Sequence, residues 1–190
     1  MCDRCAEGFR FFGLAEPQTA MLDSYAAALR SGWSPNNVRD VSAEHLGAIA
    51  ADPVAFLRQL SDSAPGTMTI GGAIFPRLPF RTRWIWDGDF CGSISLRYQT
   101  GTDELPPHVF GHIGYAVVPW KRNHGYASGA LRQMLDEARQ VGLGQVEITT
   151  QSDNLASCTV IERNGGVRAG TKAHPAFLDT GTLDRYVIAL

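Results

Sequence analysis

A chain of 190 residues, 44% hydrophobic and 19% charged, has the composition of a folded globular domain with a sizeable core, not of a disordered one. A net charge of −2 argues against a broad nucleic-acid-binding surface, which usually shows as a basic excess, and leaves room for a local basic pocket. No apolar run approaches the roughly 20 residues of a membrane span.

The N-terminal stretch "MCDRCAEGFRFFGLAEP" carries Asp3 and Glu7 where a secretory signal wants only positive charge, so a cytoplasmic protein is expected. Cys2 and Cys5 have metal-ligand spacing, but no second pair follows. Reduced thiols and no metal are expected there. Cys91 and Cys158 read as small core residues.

Residues 14 to 63 have a helical reading. "MLDSYAAALRSGW" places Met21, Leu22, Tyr25, Ala28 and Leu29 on one face. Ser42 begins "SAEHLGAIAADP", Pro53 breaks it, and "VAFLRQL" follows. "SDSAPGTMTIGGAIFPRLPF" has loop density in glycine and proline and reads as a connection or a short edge strand.

From Arg81 the period changes. "RTRWIW" and "FCGSISLRY" flank Asp87-Gly88-Asp89 as a hairpin. "HVFGHIGYAVVP" is nearly continuously apolar, the pattern of a central strand buried on both faces. Ala127, Ala130, Leu131, Met134, Leu135 and Ala138 then form the stripe of an amphipathic helix that Gly142 stops. "QVEITT" reads as a strand, "NLASCTVIERNGG" as a short helix ended by glycines, and "LDRYVIAL" as a closing strand. The sum is an α/β (α+β) domain around a mixed sheet.

The junction "WKRNHGYASGAL" joins the central strand directly to the clearest helix. A helix start leaves about four N–H groups without partners and carries roughly half a positive charge. Gly125 removes the Cβ that would keep an anion away, and Arg122 adds a planar cation. From these residues alone, an anion cradle and a plain turn with a surface arginine stand level. "GGVRAGTK" mimics a phosphate loop but misplaces its lysine, and a dinucleotide fingerprint would need more glycines.

Residues 82–190 resemble the GNAT superfamily of acyl-CoA-dependent N-acetyltransferases. The first motif, Arg/Gln-x-x-Gly-x-Gly/Ala, is matched by Arg122-Asn123-His124-Gly125-Tyr126-Ala127. The second, an asparagine followed by a short helix and glycine, is matched from Asn154 through Ser157 to Gly165-Gly166. The helical N-terminal part, with "GHIGYAVVP" and "NGG", further resembles a bacterial branch of predicted acetyltransferases. The resemblance implies one GNAT-like domain over 1–190, with a helical part at 1–66 and a sheet core at 67–190. Its sheet would be mostly antiparallel, flanked by helices and splayed at the acyl-CoA site.

By residue, the resemblance implies that the acetyl-CoA pyrophosphate rests on Arg122, Asn123, His124, Gly125, Tyr126 and Ala127, with Ser128 nearby. The backbone of Val117 and Val118 would bond the pantetheine arm, Val117 N–H would face the thioester carbonyl, and Asn154 and Ser157 would hold the arm from the other side. Asparagine is also a good helix cap without any ligand.

A carboxylate base on the central strand is common in the family. Here that region offers His112, with Glu104 and His108 in the preceding loop. His112 is the expected base because imidazole titrates near neutrality and alternation puts it on a face with Gly114 and Ala116. A core histidine bonded to backbone is the alternative. The tyrosine that often protonates the leaving thiolate is replaced by Ile161, so no acid is assigned.

The expected reaction is acetyl transfer from acetyl-CoA to a primary amine of a small molecule or peptide. A non-catalytic acyl-CoA sensor on the same fold is the alternative. No membrane partner is expected. Homodimers are common among such folds, but no residue specifies an interface.

Overall fold

The computed structural model describes residues 12–37, 39–61, 66–70, 72–173 and 182–190. Cys2 and Cys5 lie outside them. Nine strands and five α-helices lie among the described residues, with three helices and then five strands in succession before helices and strands alternate. A four-stranded sheet has the order β1-β4-β5-β6: β1 is Gly13–Ala15, β4 Phe80–Trp86, β5 Phe90–Arg97 and β6 Ile113–Val117. A three-stranded sheet has the order β7-β9-β8: β7 is Gln145–Thr150, β8 Val167–Ala173 and β9 Thr182–Ala189. β2 (Thr67–Ile70) and β3 (Ala73–Pro76) form a separate hairpin in the expected connection. Each ladder among these strands is antiparallel.

Strand alternation gives the first sheet two apolar faces. Ile85, Ile94, Leu96 and Ile113 pack against Ala130, Leu131, Met134, Leu135 and Ala138 of α4 (Tyr126–Gln140). That stripe is the one the sequence predicts, and the helix ends as expected before Gly142, at φ 87°. On the other face, Trp84, Phe90 and Val118 meet Leu22, Tyr25, Ala28 and Leu29 of α1 (Leu22–Arg30) and Phe56 of α3 (Pro53–Ser61). Tyr25 stacks on Trp84 with ring centroids 4.5 Å apart and meets Phe90 edge-on at 5.0 Å. Such pairs contribute about 0.5–1.5 kcal/mol each beyond their burial. The remaining helices are α2 (Ser42–Ala51) and α5 (Leu155–Arg163).

Two strands depart from the sequence reading. β1 overlaps the start of the region read as helical and pairs with β4, Leu14 opposite Ile85. β8, "VRAGTKA", overlaps the phosphate-loop mimic "GGVRAGTK" and pairs with β9.

The two large sheets meet at one junction. His112 N–H donates to the Glu147 carbonyl at 2.6 Å, Glu147 N–H donates to His112 Nδ1 at 2.9 Å, and Thr149 Oγ1 donates to the Phe110 carbonyl at 3.4 Å. No ladder joins β6 to β7 beyond it. The gap between them is the splay expected of the fold.

Gly92 shows how tightly β6 is held on its other side. Its φ is +153°, and a Cβ there would sit 2.3 Å from the Ala116 carbonyl oxygen and 2.9 Å from the Val117 Cα. Backbone atoms cannot rotate away as a side chain can. Gly92→Ala is therefore expected to push β6 off β5 and cost about 2–3 kcal/mol, measured as a lowered urea midpoint. An unchanged midpoint would show that the strand pair is looser than this packing implies.

Candidate functional site

The open edge of β6 follows from its register. Val118 N–H donates to the Cys91 carbonyl at 3.0 Å, and Arg97 N–H donates to the His112 carbonyl at 2.8 Å. Between those bonds Ser93 faces Ala116 and Ser95 faces Gly114. Backbone groups alternate sides along a strand, so the even-numbered residues bond β5 while Tyr115 and Val117 direct theirs into the splay. The Tyr115 carbonyl accepts from Asn37 Nδ2, and the Val117 carbonyl from Arg122 Nε, each at 3.3 Å. Val117 N–H has no partner among the described residues. Val118 differs: its N–H goes to Cys91 and its carbonyl accepts from Lys121 N–H at 3.0 Å. Both its backbone groups are internal, and the strand position that opens outward is Val117.

After β6 a single 3-10 turn, Pro119–Lys121, leads to the signature segment. Asn123 and Gly125 both take positive φ, 63° and 80°, and Gly125 is the N-cap of α4. No side chain caps this helix. Its first intrahelical bond from an N–H is Gly129 to the Gly125 carbonyl, at 3.0 Å, so the N–H groups of Tyr126, Ala127 and Ser128 point out of the helix start. Arg122, Asn123, His124 and Gly125 are exposed around them. His124 Nδ1–H donates to the Arg122 carbonyl at 2.6 Å, which folds the turn back on itself. An exposed, uncapped helix start beside a cation has the chemistry to hold an anion.

The side chain of Tyr126 lies on the other side of this cradle. It is buried, packs on Phe12 at 4.8 Å between centroids, and donates its hydroxyl to Asp87. Lys121 Nζ donates to the same Asp87 oxygen at 2.7 Å, and the Asp87 side chain is only 1% exposed. Burial alone would raise its pKa, but the bonds from Lys121 and Tyr126 outweigh it and hold the carboxyl well below the ordinary range. The neighbouring Cys91 thiol is pushed up to about 12 by burial and by Asp87, so it is an inert core residue. Sequence reasoning took Asp87 only as a turn residue.

Across the splay, Asn154 caps α5, its Oδ1 accepting the Ser157 N–H at 3.1 Å. The Ser157 hydroxyl meets the Tyr115 hydroxyl at 2.9 Å. Burial pushes Tyr115 up to about 12, so the phenol stays protonated at neutral pH. Asn164, quoted above only as part of the glycine turn, donates to the Ser128 carbonyl at 3.2 Å, the Ser128 Oγ at 3.1 Å and the Val160 carbonyl at 2.8 Å. It ties the end of α5 to the first turn of α4. Ile161 is fully buried and turned into the core against Gly166.

His112 is buried, its Nδ1 accepts the Glu147 N–H, and its Nε2 has no partner. Burial lowers its pKa, against the opposing pull of Glu147 and Asp103, so the ring is neutral at pH 7 with its proton on Nε2. That tautomer has no free lone pair. Glu147 itself is held below the ordinary range, because its bonds to Arg185 and to Lys172 (3.2 Å) outweigh burial. Glu104 is exposed, and its hydrogen bonds run through its backbone, to Thr102 Oγ1 at 3.1 Å and from Gln99 Nε2 at 2.8 Å. No contact among the described residues joins its carboxylate to His112. Among those residues there is also no group of three metal-ligating side chains and no helix long and apolar enough to cross a membrane.

The acetyltransferase (GNAT) domain family matches residues 71–167, just over half of the chain. The protein belongs to the GNAT acetyltransferases, enzymes with acetyl-CoA as donor. No curated protein matches it in sequence. Among solved structures it is similar to a Salmonella typhimurium acetyltransferase that modifies the N-terminal serine of the 50S protein L7/L12 (15% identity, 94% of this chain, 95% of that chain, TM-score 0.62). It is also similar to Mycobacterium smegmatis RimJ in complex with CoA-disulfide (21%, 94% and 81%, TM-score 0.59). A third is the microcin C7 self-immunity acetyltransferase MccE, solved with acetyl-CoA and AMP (13%, 94% and 92%, TM-score 0.59). At these identities the likeness is one of fold.

Asp87 anchors the cradle, and its low pKa sets a sign. A carboxyl with a depressed folded pKa contributes stability that is present above its unfolded value of about 3.9 and lost as pH falls below it. Asp87→Asn removes the charge at constant shape and strands Lys121. It is expected to cost about 3 kcal/mol and to lower Tm at pH 7 by roughly 6–12 °C, with a smaller difference from wild type below pH 4. An equal deficit at both pH values would deny the charge this role.

Proposed function

We propose that this protein is an N-acetyltransferase that moves the acetyl group of acetyl-CoA to a primary amine of a small molecule or of a peptide. The observation that carries the reading is the pairing of an uncapped α4 N-terminus with the outward-facing Val117 N–H at the end of the preceding strand. Pyrophosphate oxygens accept hydrogen bonds well from a helix start. The N–H groups of residues 123–128 and the Arg122 guanidinium suit that end of the cofactor. The pantetheine arm runs in the splay along β6, with Asn154 and Ser157 of α5 as its other wall.

In this reading the amine nitrogen attacks the thioester carbon, the carbonyl oxygen takes up negative charge, and Val117 N–H donates to it. A single well-placed donor of this kind is worth about 3 kcal/mol. Collapse breaks the C–S bond and releases CoA. Overall an ammonium and acetyl-CoA become an amide, CoA and one proton. The thiolate, with a pKa of about 8.5, is a tolerable leaving group.

The proton leaves the amine through water. As a base, His112 would have to give up the Glu147 N–H bond that joins the two sheets, and the exposed Glu104 carboxylate has no contact that brings it there. We assign His112 to the junction and leave Glu104 outside the chemistry.

Two measurements test this. Saturating acetyl-CoA, at about 100 times its Kd, adds about 2.7 kcal/mol to the folded state, a Tm rise of roughly 5–10 °C. Arg122→Ala is expected to raise the KM for acetyl-CoA about tenfold while leaving kcat within a factor of two or so. Absence of both the shift and amine-dependent CoA release ends the proposal.

His112→Gln separates the two roles of the histidine. A lost junction lowers Tm and keeps kcat within a few-fold, whereas a lost general base lowers kcat by about 10²–10⁴-fold and abolishes any pH dependence of kcat near neutrality.

A further inference from the structure

Side chains opposite each other in an antiparallel pair share a face, so Ser93, Ser95, Ala116 and Gly114 line the face of the first sheet turned away from α4. Arg97, two residues beyond Ser95, belongs to the same face. Its Nη2 lies 3.1 Å from where a Gly114 Cβ would be, so the guanidinium is folded back over β6 across the gap that the glycine leaves. The apolar cluster beneath α1 and α3 ends at Trp84 and Ala116 on this face. The Ser95–Arg97–Gly114 end lies beyond it, bordered by the α1–α2 loop whose Asn37 holds the Tyr115 carbonyl.

Arg97 is unlike the protein's other half-buried cations. Arg83 pairs with Glu137 at 2.8 Å, Lys121 with Asp87, and Lys172 with Glu147. The Arg97 guanidinium makes no hydrogen bond and no ion pair among the described residues. Burial draws its pKa down, and no carboxylate offsets that. His112, neutral beside it, supplies no negative charge. The hydroxyls of Ser93 and Ser95 on the same face also have no partner among the described residues. An arginine costs free energy to desolvate and is seldom left without an anion.

We propose that Arg97 is a specificity-determining residue that binds an anionic group of the acceptor, so the substrates are amines that also carry a carboxylate or a phosphate. The proposal rests on the acetyltransferase reading above and names the substrate class of that site. The guanidinium fork matches both anions bidentately, and the two serines offer further donors. The same cation lowers the pKa of an ammonium brought beside it, which favours the neutral amine that attacks the thioester.

The test uses the whole protein saturated with CoA and three amines of similar length: n-propylamine, β-alanine and O-phosphoethanolamine. Calorimetry gives binding, and amine-dependent CoA release from acetyl-CoA gives kcat/KM. In the wild type, β-alanine or O-phosphoethanolamine is expected to be favoured over n-propylamine by at least about tenfold, and whichever leads tells carboxylate from phosphate. Arg97→Met is expected to collapse that preference by about 10–100-fold, and Arg97→Lys to retain part of it. The Tm rise with acetyl-CoA certifies the fold of each variant.

Equal treatment of the three amines by the wild type, binding of none of them, or a preference that survives in Arg97→Met overturns the anion assignment. If the wild type shows no acetyl-CoA shift and no CoA release, the enzyme reading itself has failed. An acetyl-CoA shift together with indifference to the anion leaves that reading intact and removes only this one.

Discussion

A buried carboxylate organises the connection between β6 and α4. Asp87 sits in the β4–β5 turn, remote in sequence from the signature segment, yet it holds Lys121 of the 3-10 turn and Tyr126 at the first position of α4. Removing one partner of a buried ion pair is costly because the other charge is left in a poor solvent. The strand-to-helix connection therefore has one satisfied geometry. Because Lys121 and Tyr126 face inward to Asp87, the residues between them, Arg122 to Gly125, are the ones left exposed. The left-handed backbone of Asn123 and Gly125 then turns successive N–H groups toward the same side.

A similar economy shapes the gap between the sheets. The backbone of β6 is pressed onto β5, where Gly92 leaves no room for a Cβ against Ala116 and Val117. At its head β6 is fastened to β7 through His112 and Glu147, with Gly111 at φ +81° and its Cβ position 3.0 Å from the Glu147 carbonyl oxygen. With one end fastened and one side fixed, the strand can open only along the edge that carries Tyr115 and Val117. Tyr115 spans that opening to Ser157, and Asn164 closes the far side by joining α5 to α4.

Elements with strong local signals were legible in the sequence: the α4 stripe, the hairpin at Asp87-Gly88-Asp89, the cap at Asn154 and the stop at Gly142. Their physics is contained within a few neighbouring residues. β1 was not, because three residues, Gly13 to Ala15, carry no period and form a strand only by pairing with β4. β8 was not, because it is exposed along nearly its whole length and reads as polar loop. β6 was expected to be buried on both faces, yet Gly114 to Val117 are only half-buried, since its open edge is a property of the two sheets. At the candidate site, the exposed and uncapped start of α4 lies where the motif segment Arg122–Ala127 was singled out. Asp87, Asn164, Asn37 and Arg97 could not be, because the first three act across sequence separations of 34 to 78 residues and Arg97 through the absence of a partner.

The alternation of β6 gives the two faces of one short strand different surroundings. The odd-numbered residues direct backbone groups into the splay and side chains toward α4 and α5, so a cofactor laid there meets Val117 N–H and the Tyr115–Ser157 pair. The even-numbered residues bond β5 and turn Gly114 and Ala116 to the opposite face, where small side chains leave space above Arg97. A one-residue slip of β6 would exchange these roles together. Gly92 of β5, opposite one end of the strand, and His112 at the other end resist that slip, so the residues that fix the fold here also fix which groups each side of β6 presents.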